Sequence, residues 1–538
     1  MHRIIVFLAI LSLTLSACGA TPSIWGIAPT PTPVSSTQTA PLFDPFAVQD
    51  DPIIFPTSTP PATAEAFITN TPTPDGAAPM IQPTYTASTD AAPYLYYAQS
   101  GDMLSAIAKR FGVEESEITS DADLTKTTLI DPGTLLVIPN KISEPTTPNI
   151  QIMPDAEIVF SVTAADFDID GFVQKQGGYL ASFKDYLGST GSIKGSDAIK
   201  RLAYENSINP RMILGLLEYE SRWVSGQPID LLHTDYPMGF NDYHFKGMSV
   251  QMVWAINNMA IAYYGWRAGT LNYLDFPDGS RIRIDPRLNA GTVAIQYLFS
   301  RLYNQSRWAQ IIDPSSGFPA MYTKMFGDPW ALADKINPLF PPALTQPPLT
   351  LPFEPGVQWN LTGGPHNGWG QINPDIYGQS HSVFAAIDFA PPTKSGGCGS
   401  TDTWVVAAAP GLVVRSENGA VMVDLDGDGY EQTGWNILYM HIAKTGRVAV
   451  GTWLEQDDHI GHASCEGGVS TGTHLHFARK YNGEWVTADG PIPFIMDGWR
   501  VVAGDAAYKG KLVRDDQEVI ADLLGQSWSS IIREKNEP

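Results

Sequence analysis

Basic residues, cysteine and long apolar runs are what this chain has little of. Its 33 Lys and Arg stand against 56 Asp and Glu, a formal net charge of −23. A nucleic-acid partner calls for a basic face, so none is expected. Cysteine occurs three times, at Cys18, Cys398 and Cys465, which leaves room for one intrachain pair. The apolar run over residues 4–15 is too short to span a bilayer and no stop-transfer pattern follows it. It reads as an export signal, residues 1–17, rather than a membrane helix.

Proline is plentiful, and its distribution divides the chain. Residues 18–93 are rich in Pro, Thr, Ser and Ala, as in Thr30-Pro31-Thr32-Pro33 and Thr71-Pro72-Thr73-Pro74. Such a segment cannot bury a core and is expected as a disordered stalk giving reach, with an O-glycosylated stalk as the other reading. Ahead of it, Leu15-Ser16-Ala17-Cys18 resembles a bacterial lipobox. That resemblance implies a lipid on Cys18, the membrane as a partner, and an extracytoplasmic place in the bacterial cell envelope. With Cys18 so used, Cys398 and Cys465 remain as an even pair in an oxidising compartment, and a disulfide between them is expected.

Within residues 94–140, a short strand over 96–99 precedes the turn Ser100-Gly101-Asp102. Leu104, Ile107, Ala108 and Phe111 then form one helical stripe. A second short helix is expected around 114–120, then the turn Asp131-Pro132-Gly133 and a returning strand over 135–138. This order, with Gly101-Asp102, Phe111-Gly112, Pro132-Gly133 and Ile138-Pro139, resembles the LysM domain, a small α+β (βααβ) module. The resemblance implies binding to the N-acetylglucosamine-containing glycan of peptidoglycan.

A linker over 141–164 leads to residues 165–337, helical in pattern. There Asn209-Pro210 can open a helix, and Ile213, Leu216 and Leu217 place Glu220 in its buried stripe. A carboxylate entering an apolar face has a raised pKa, as a glycosidic general acid requires. The stretch resembles the catalytic helix of lysozyme-like lytic transglycosylases, where a Glu-Ser pair ends such a helix. The Gly-Leu-Met-Gln segment of those enzymes is missing here, with Pro237-Met238-Gly239-Phe240 in its place.

A Pro-rich linker over 338–352 leads into residues 353–500, rich in Gly and β-branched residues and expected to be all-β. Strands are expected over 404–409, 412–416, 421–425, 436–440 and 474–479. Histidines collect here, and a His cluster with an Asp in an extracellular β domain suggests zinc. His474 and His476, two apart on a strand, share a face. Gly363-Gly364-Pro365-His366, Ala386-Ile387-Asp388-Phe389, Leu438-Tyr439-Met440-His441 and Gly472-Thr473-His474-Leu475-His476-Phe477 resemble, in that order, the lysostaphin/LasA-type (LytM-type) zinc metallopeptidases. The resemblance implies antiparallel β sheets, one zinc ion on His366, Asp388 and His476, and His441 and His474 beside it as catalytic groups. His381 lies nearer Asp388 and is the alternative to His366; the Gly-Gly-x-His setting, similar to the LasA branch, favours His366.

Asp424, Asp426 and Asp428 open like a calcium loop, but position twelve is Trp435 rather than Glu, so a hairpin turn is read in preference. His459 and His462 are read as loop histidines. Residues 501–538 are expected as a tail, with an exposed helix around 517–532. Together these readings describe a multidomain, LysM-targeted zinc endopeptidase cutting peptidoglycan peptides. The rivals are a wall-bound scaffold with a degenerate peptidase domain, and a muramidase or lytic transglycosylase acting through Glu220.

Overall fold

Hydrophobic periodicity divides the chain into the three layers seen in the computed structural model, which describes residues 92–124, 129–187, 191–369 and 383–535. The export signal, Cys18, the stalk up to residue 91 and His381 lie outside the described residues. No helix among those described is long and apolar enough to cross a membrane.

In the first layer, strand Tyr94–Tyr97 pairs antiparallel with Leu135–Ile138, and helix Leu104–Phe111 lays Ile107 and Phe111 on them. Buried Arg110 pairs with Asp102, which also accepts the Tyr96 hydroxyl at 2.6 Å. The expected second helix is a single 3-10 turn, Glu115–Glu117. Glu114 and Glu117 close a reciprocal capping box within that turn, and the Thr119 backbone then bridges to Val137, drawing the chain into extended structure.

The middle layer is helical. Asn209 caps Pro210–Ser221 by accepting the Arg211 N–H at 2.9 Å, and Pro210 fills the first turn. Helix Met248–Arg267 is apolar nearly all round, so it is central; it packs on helix Ala290–Leu302. The expected linker over 141–164 instead supplies core: Met153, Ile158, Val159 and Phe160 are buried, and buried Glu157 pairs with Arg211 at 2.7 Å. An apolar run at that density has more to gain from burial than from solvation.

Among the described residues the third layer is a nine-stranded antiparallel sheet, eight strands in one path and Glu484–Trp485 paired off it to Leu475–Tyr481. Its path runs Trp453–Leu454, Gly411–Glu417, Ala420–Asp424, Trp435–Met440, Leu475–Tyr481, Phe384–Ala390, Gln358–Asn367, Ser530–Ile532. Alternation gives it two apolar faces. Ile387, Phe389, Val423, Tyr439 and Phe477 face one core, while Ala386, Met422, Leu438, Ala478 and Trp485 face another, with Tyr264 of the central helix packed against it. The expected terminal helix is absent. Residues 510–520 form the hairpin Gly510–Arg514/Gln517–Ile520, turned at Asp515 with φ 52°, and Ser530–Ile532 closes the sheet edge beside Gln358–Asn367.

All described residues fall in one compact unit. The middle and β layers are joined where Asn482-Gly483 turns the Leu475–Tyr481/Glu484–Trp485 hairpin, both residues at positive φ. A Cβ on Gly483 would lie 2.1 Å from the Phe160 carbonyl oxygen, and the Ser207 hydroxyl donates to Gly483 O at 2.7 Å. The Tyr263 hydroxyl and the Arg267 guanidinium both reach Glu484, at 2.7 and 3.0 Å.

Candidate metal centre and active site

Strand register builds this site. His476 on Leu475–Tyr481 lies directly opposite Asp388 on Phe384–Ala390, so both side chains leave the same face. Gln358–Asn367 brings His366 alongside through register shifts around Gly363. A Cβ on Gly363 would lie 2.7 Å from Asp388 Oδ2, and one on Gly364 would lie 2.5 Å from the Lys509 backbone. The two glycines of Gly-Gly-x-His are thus required by close approach on both sides.

The result is three ligand-capable atoms converging at a buried point. His366 Nε2 stands 3.2 Å and His476 Nδ1 3.3 Å from Asp388 Oδ1, with 3.0 Å between the two nitrogens. The outer nitrogen of each ring is committed to a backbone carbonyl: His366 Nδ1–H donates to Gly364 O at 2.9 Å, and His476 Nε2–H to Gly368 O at 2.9 Å. Those bonds fix the tautomers and turn lone pairs inward. Asp388 Oδ1 is buried without a hydrogen-bond partner. Three inward acceptors around an unsatisfied carboxylate oxygen are mutually repulsive unless a cation or a proton sits among them. With two imidazoles and one carboxylate as the donor set, a divalent zinc-type ion fits.

The electrostatics agree with this arrangement. Burial alone would raise the Asp388 carboxyl, but His366, His474 and His476 outweigh it and hold it well below the usual range. Burial lowers the His476 imidazole, and burial with His474 and His476 nearby lowers His441 to about 3. Both rings are therefore neutral and carry free lone pairs at neutral pH.

His441 and His474 flank the cluster, their rings 4.4 Å apart, with His474 Nε2 at 3.8 Å from Asp388 Oδ1. Each is oriented by the same device: His441 Nδ1–H donates to Glu466 O at 3.0 Å, and His474 Nδ1–H to Gly472 O at 2.8 Å. The disulfide Cys398–Cys465 ties these two loops together. Cys465 precedes Glu466, while Gly397 and Gly399 beside Cys398 accept the Thr473 N–H and hydroxyl at 3.0 and 2.5 Å.

Sequence reasoning missed Tyr508, whose ring stacks on His366 at 4.2 Å. It is held by its N–H to Pro365 O and by Gly364 N–H to its own carbonyl. It also missed the four orienting carbonyls, which no residue type encodes. The cleft above the cluster, about 480 Å³, is lined by Trp369, Tyr508 and the loop 468–474, and on the middle-layer side by Glu205, Asn206 and Val253.

The other expected residues lie apart. Glu220 is buried where its stripe placed it. Its Oε2 accepts the Tyr303 hydroxyl at 2.5 Å, Oε1 has no partner, and burial, partly offset by Tyr303 and Arg307, raises it to about 7. Asp424, Asp426 and Asp428 group their carboxylates, with Asp424 accepting the Asp426 and Gly429 N–H groups at 3.2 and 2.9 Å across a turn. His459, expected in a loop, opens the short strand His459–Gly461 and stacks on Trp404 at 4.1 Å, while the His462 ring lies tilted against the same indole at 3.9 Å.

Residues 388–488 match the model of peptidase family M23, residues 96–139 that of the LysM domain, and residues 151–339 that of the LasA N-terminal domain. Among curated relatives, Protease LasA of Pseudomonas aeruginosa (strain UCBPP-PA14) is 28% identical over 302 residues, 53% of this chain and 65% of that protein. Beta-lytic metalloendopeptidase of Lysobacter enzymogenes is 26% identical over 161 residues, 30% of this chain and 82% of that protein. The chain thus spans 65% of the length of the LasA proteins it matches. A solved structure titled as a novel M23 metalloprotease, pseudoalterin, from the deep sea aligns at 23% identity and TM-score 0.27, over 35% of this chain and 100% of that one. Three segments of the chain thus resemble, in order, a LysM domain, a LasA N-terminal domain and an M23 peptidase domain. The LasA N-terminal match covers the helical layer and begins at residue 151, ahead of residue 165, and so takes in the buried 152–164 segment.

Proposed function

We propose that this chain is an extracytoplasmic, zinc-dependent endopeptidase that cuts the peptide cross-links of peptidoglycan, held to the glycan by its LysM domain and to the membrane by a lipid on Cys18. The observation that carries the reading is the inward convergence of His366 Nε2, Asp388 Oδ1 and His476 Nδ1 around an unsatisfied buried oxygen. His366 rather than His381 is the third ligand in this reading.

Zinc, when bound, supplies a Lewis acid for the scissile carbonyl and the attacking water. The chain's own contribution is proton handling and alignment. His441 and His474, each with Nδ1–H tied to a carbonyl, offer Nε2 as the proton acceptor. A proton taken at either Nε2 makes that nitrogen a donor, first to the tetrahedral oxyanion and then to the leaving amine. Tyr508 keeps the His366 ring from rotating out of line. No covalent attachment of substrate to the protein is required. Incubating purified peptidoglycan with the full chain and weighing the products tests the reading: new peptide amino termini are expected, whereas intact peptides contradict it.

A second reading is favoured by one observation, the buried Glu220 whose pKa near 7 suits a general acid. In that reading the helical domain is lysozyme-like in activity and cleaves glycan. Glu220→Gln then abolishes glycan products while leaving peptide products; an absence of glycan products from the unaltered chain removes the reading.

A further inference from the structure

A cavity of about 540 Å³ lies where all three layers meet, remote from the metal cleft. One wall is Met103, Leu104 and Leu129 of the LysM domain; the facing wall is Thr487 and Ile492 of the peptidase layer. Its floor is the end of the central helix, where Tyr264 and Arg267 meet Glu484 and Trp485. That floor is tightly fixed. Arg267 pairs with Glu484 at 3.0 Å and Asp155 at 3.1 Å and donates to Ser100 O, so one buried guanidinium touches every layer. The Trp485 N–H donates to the Tyr264 hydroxyl at 3.1 Å.

The geometry points to a composite glycan site, in which a chain of N-acetylated hexosamines bound by the LysM wall is also gripped by the peptidase wall. This rests on the reading of residues 96–139 as a glycan-binding module and extends it to residues of another domain. The walls suit a sugar ring: apolar Met103, Leu104, Leu129 and Ile492 face its C–H surfaces, while Ser105, Thr487 and Asp489 supply polar partners at the edge.

The helix Met248–Arg267 runs along the sheet face that bears the metal ligands, with Val253 in the metal cleft and Tyr264 in the cavity. About eleven residues at ~1.5 Å separate them, roughly 16 Å. Along the strand, His476 to Lys480, which pairs with Trp485, gives ~14 Å at about 3.4 Å per residue. Both spans run through packed core, where Ala386, Ala478, Lys480 and Trp485 are buried, so they give the separation of the two sites and not an open path between them.

Titration of the full chain with the hexamer of β-1,4-linked N-acetylglucosamine tests this, with Met103→Arg on one wall and Thr487→Arg on the other. Both variants are expected to weaken binding at least tenfold while keeping the melting midpoint of the unaltered chain. If Thr487→Arg melts early, Ile492→Ala probes the same wall, with a threefold or greater loss expected. Unaltered affinity in the peptidase-wall variants beside a loss in Met103→Arg overturns the composite site and leaves a LysM domain that binds alone. No binding by the unaltered chain overturns the glycan-binding reading itself, and the composite site with it.

Discussion

Asp388 in the β layer and Glu220 in the helical layer are both buried carboxylates, and the two are treated in opposite ways. Asp388 lies among imidazoles whose outer nitrogens are pinned to carbonyls, and its carboxyl is held well below the usual range. Glu220 lies among apolar side chains with one tyrosine hydroxyl for company and is raised to about 7. Burial opposes the charged form in both. What differs is the company: inward-facing ligand atoms suit the first to a cation, while burial among apolar groups favours the protonated form of the second. A buried carboxylate is therefore informative only together with the orientation of its neighbours.

The comparison breaks most completely at Asp388. Asp388→Asn is expected to reduce peptidoglycan endopeptidase activity to that of the metal-free chain, measured by release of peptide amino groups. Next comes proton handling: His441→Ala is expected to lower kcat by about 10²–10⁴-fold with zinc retained, because it removes the acceptor and not a ligand. Equal loss of zinc in that variant would assign His441 to the metal instead.

Replacing Cys398 and Cys465 by Ser opens the clamp between the loops that orient His441 and His474. A stability loss of about 2–4 kcal/mol in denaturant unfolding is expected, with a fall in kcat larger than any rise in KM.

The smallest effect lies at Glu220. A carboxyl at 4.5 when unfolded and about 7 when folded binds its proton more tightly in the native state. Stability from this group is therefore greatest at low pH, falls as pH rises from about 4.5 to about 7, and is flat above. Glu220→Gln is expected to flatten that slope and to stabilise the protein at pH 8 by about 1–3 kcal/mol. An unchanged pH profile would mean that Glu220 is solvated.

Much of the site was legible because its chemistry is carried by side chains in short motifs on strands. The strand that carries His476 was legible from its alternation, and the register sets His476 opposite Asp388, a residue that only the family resemblance had singled out. The Glu220 helix was legible through Asn209-Pro210 and its apolar spacing. The orienting carbonyls of Gly364, Gly368, Glu466 and Gly472 were not, since any residue supplies one. Tyr508 was hidden by a misread tail. Short apolar runs such as residues 510–520 do not distinguish helix from strand, and the turn at Asp515 carries no glycine to announce the hairpin. The segment 152–164 was placed in a linker because it follows the Pro-rich joint at Pro145–Pro148, although it holds only Pro154 among its apolar residues.

The central claim is that His366, Asp388 and His476 form one metal site. Zinc content per chain, measured on the purified full-length protein and on His366→Ala, tests it most directly. The account predicts one zinc per unaltered chain and a fall to near zero in the variant. Full zinc content in His366→Ala would contradict it and pass the third ligand to another histidine.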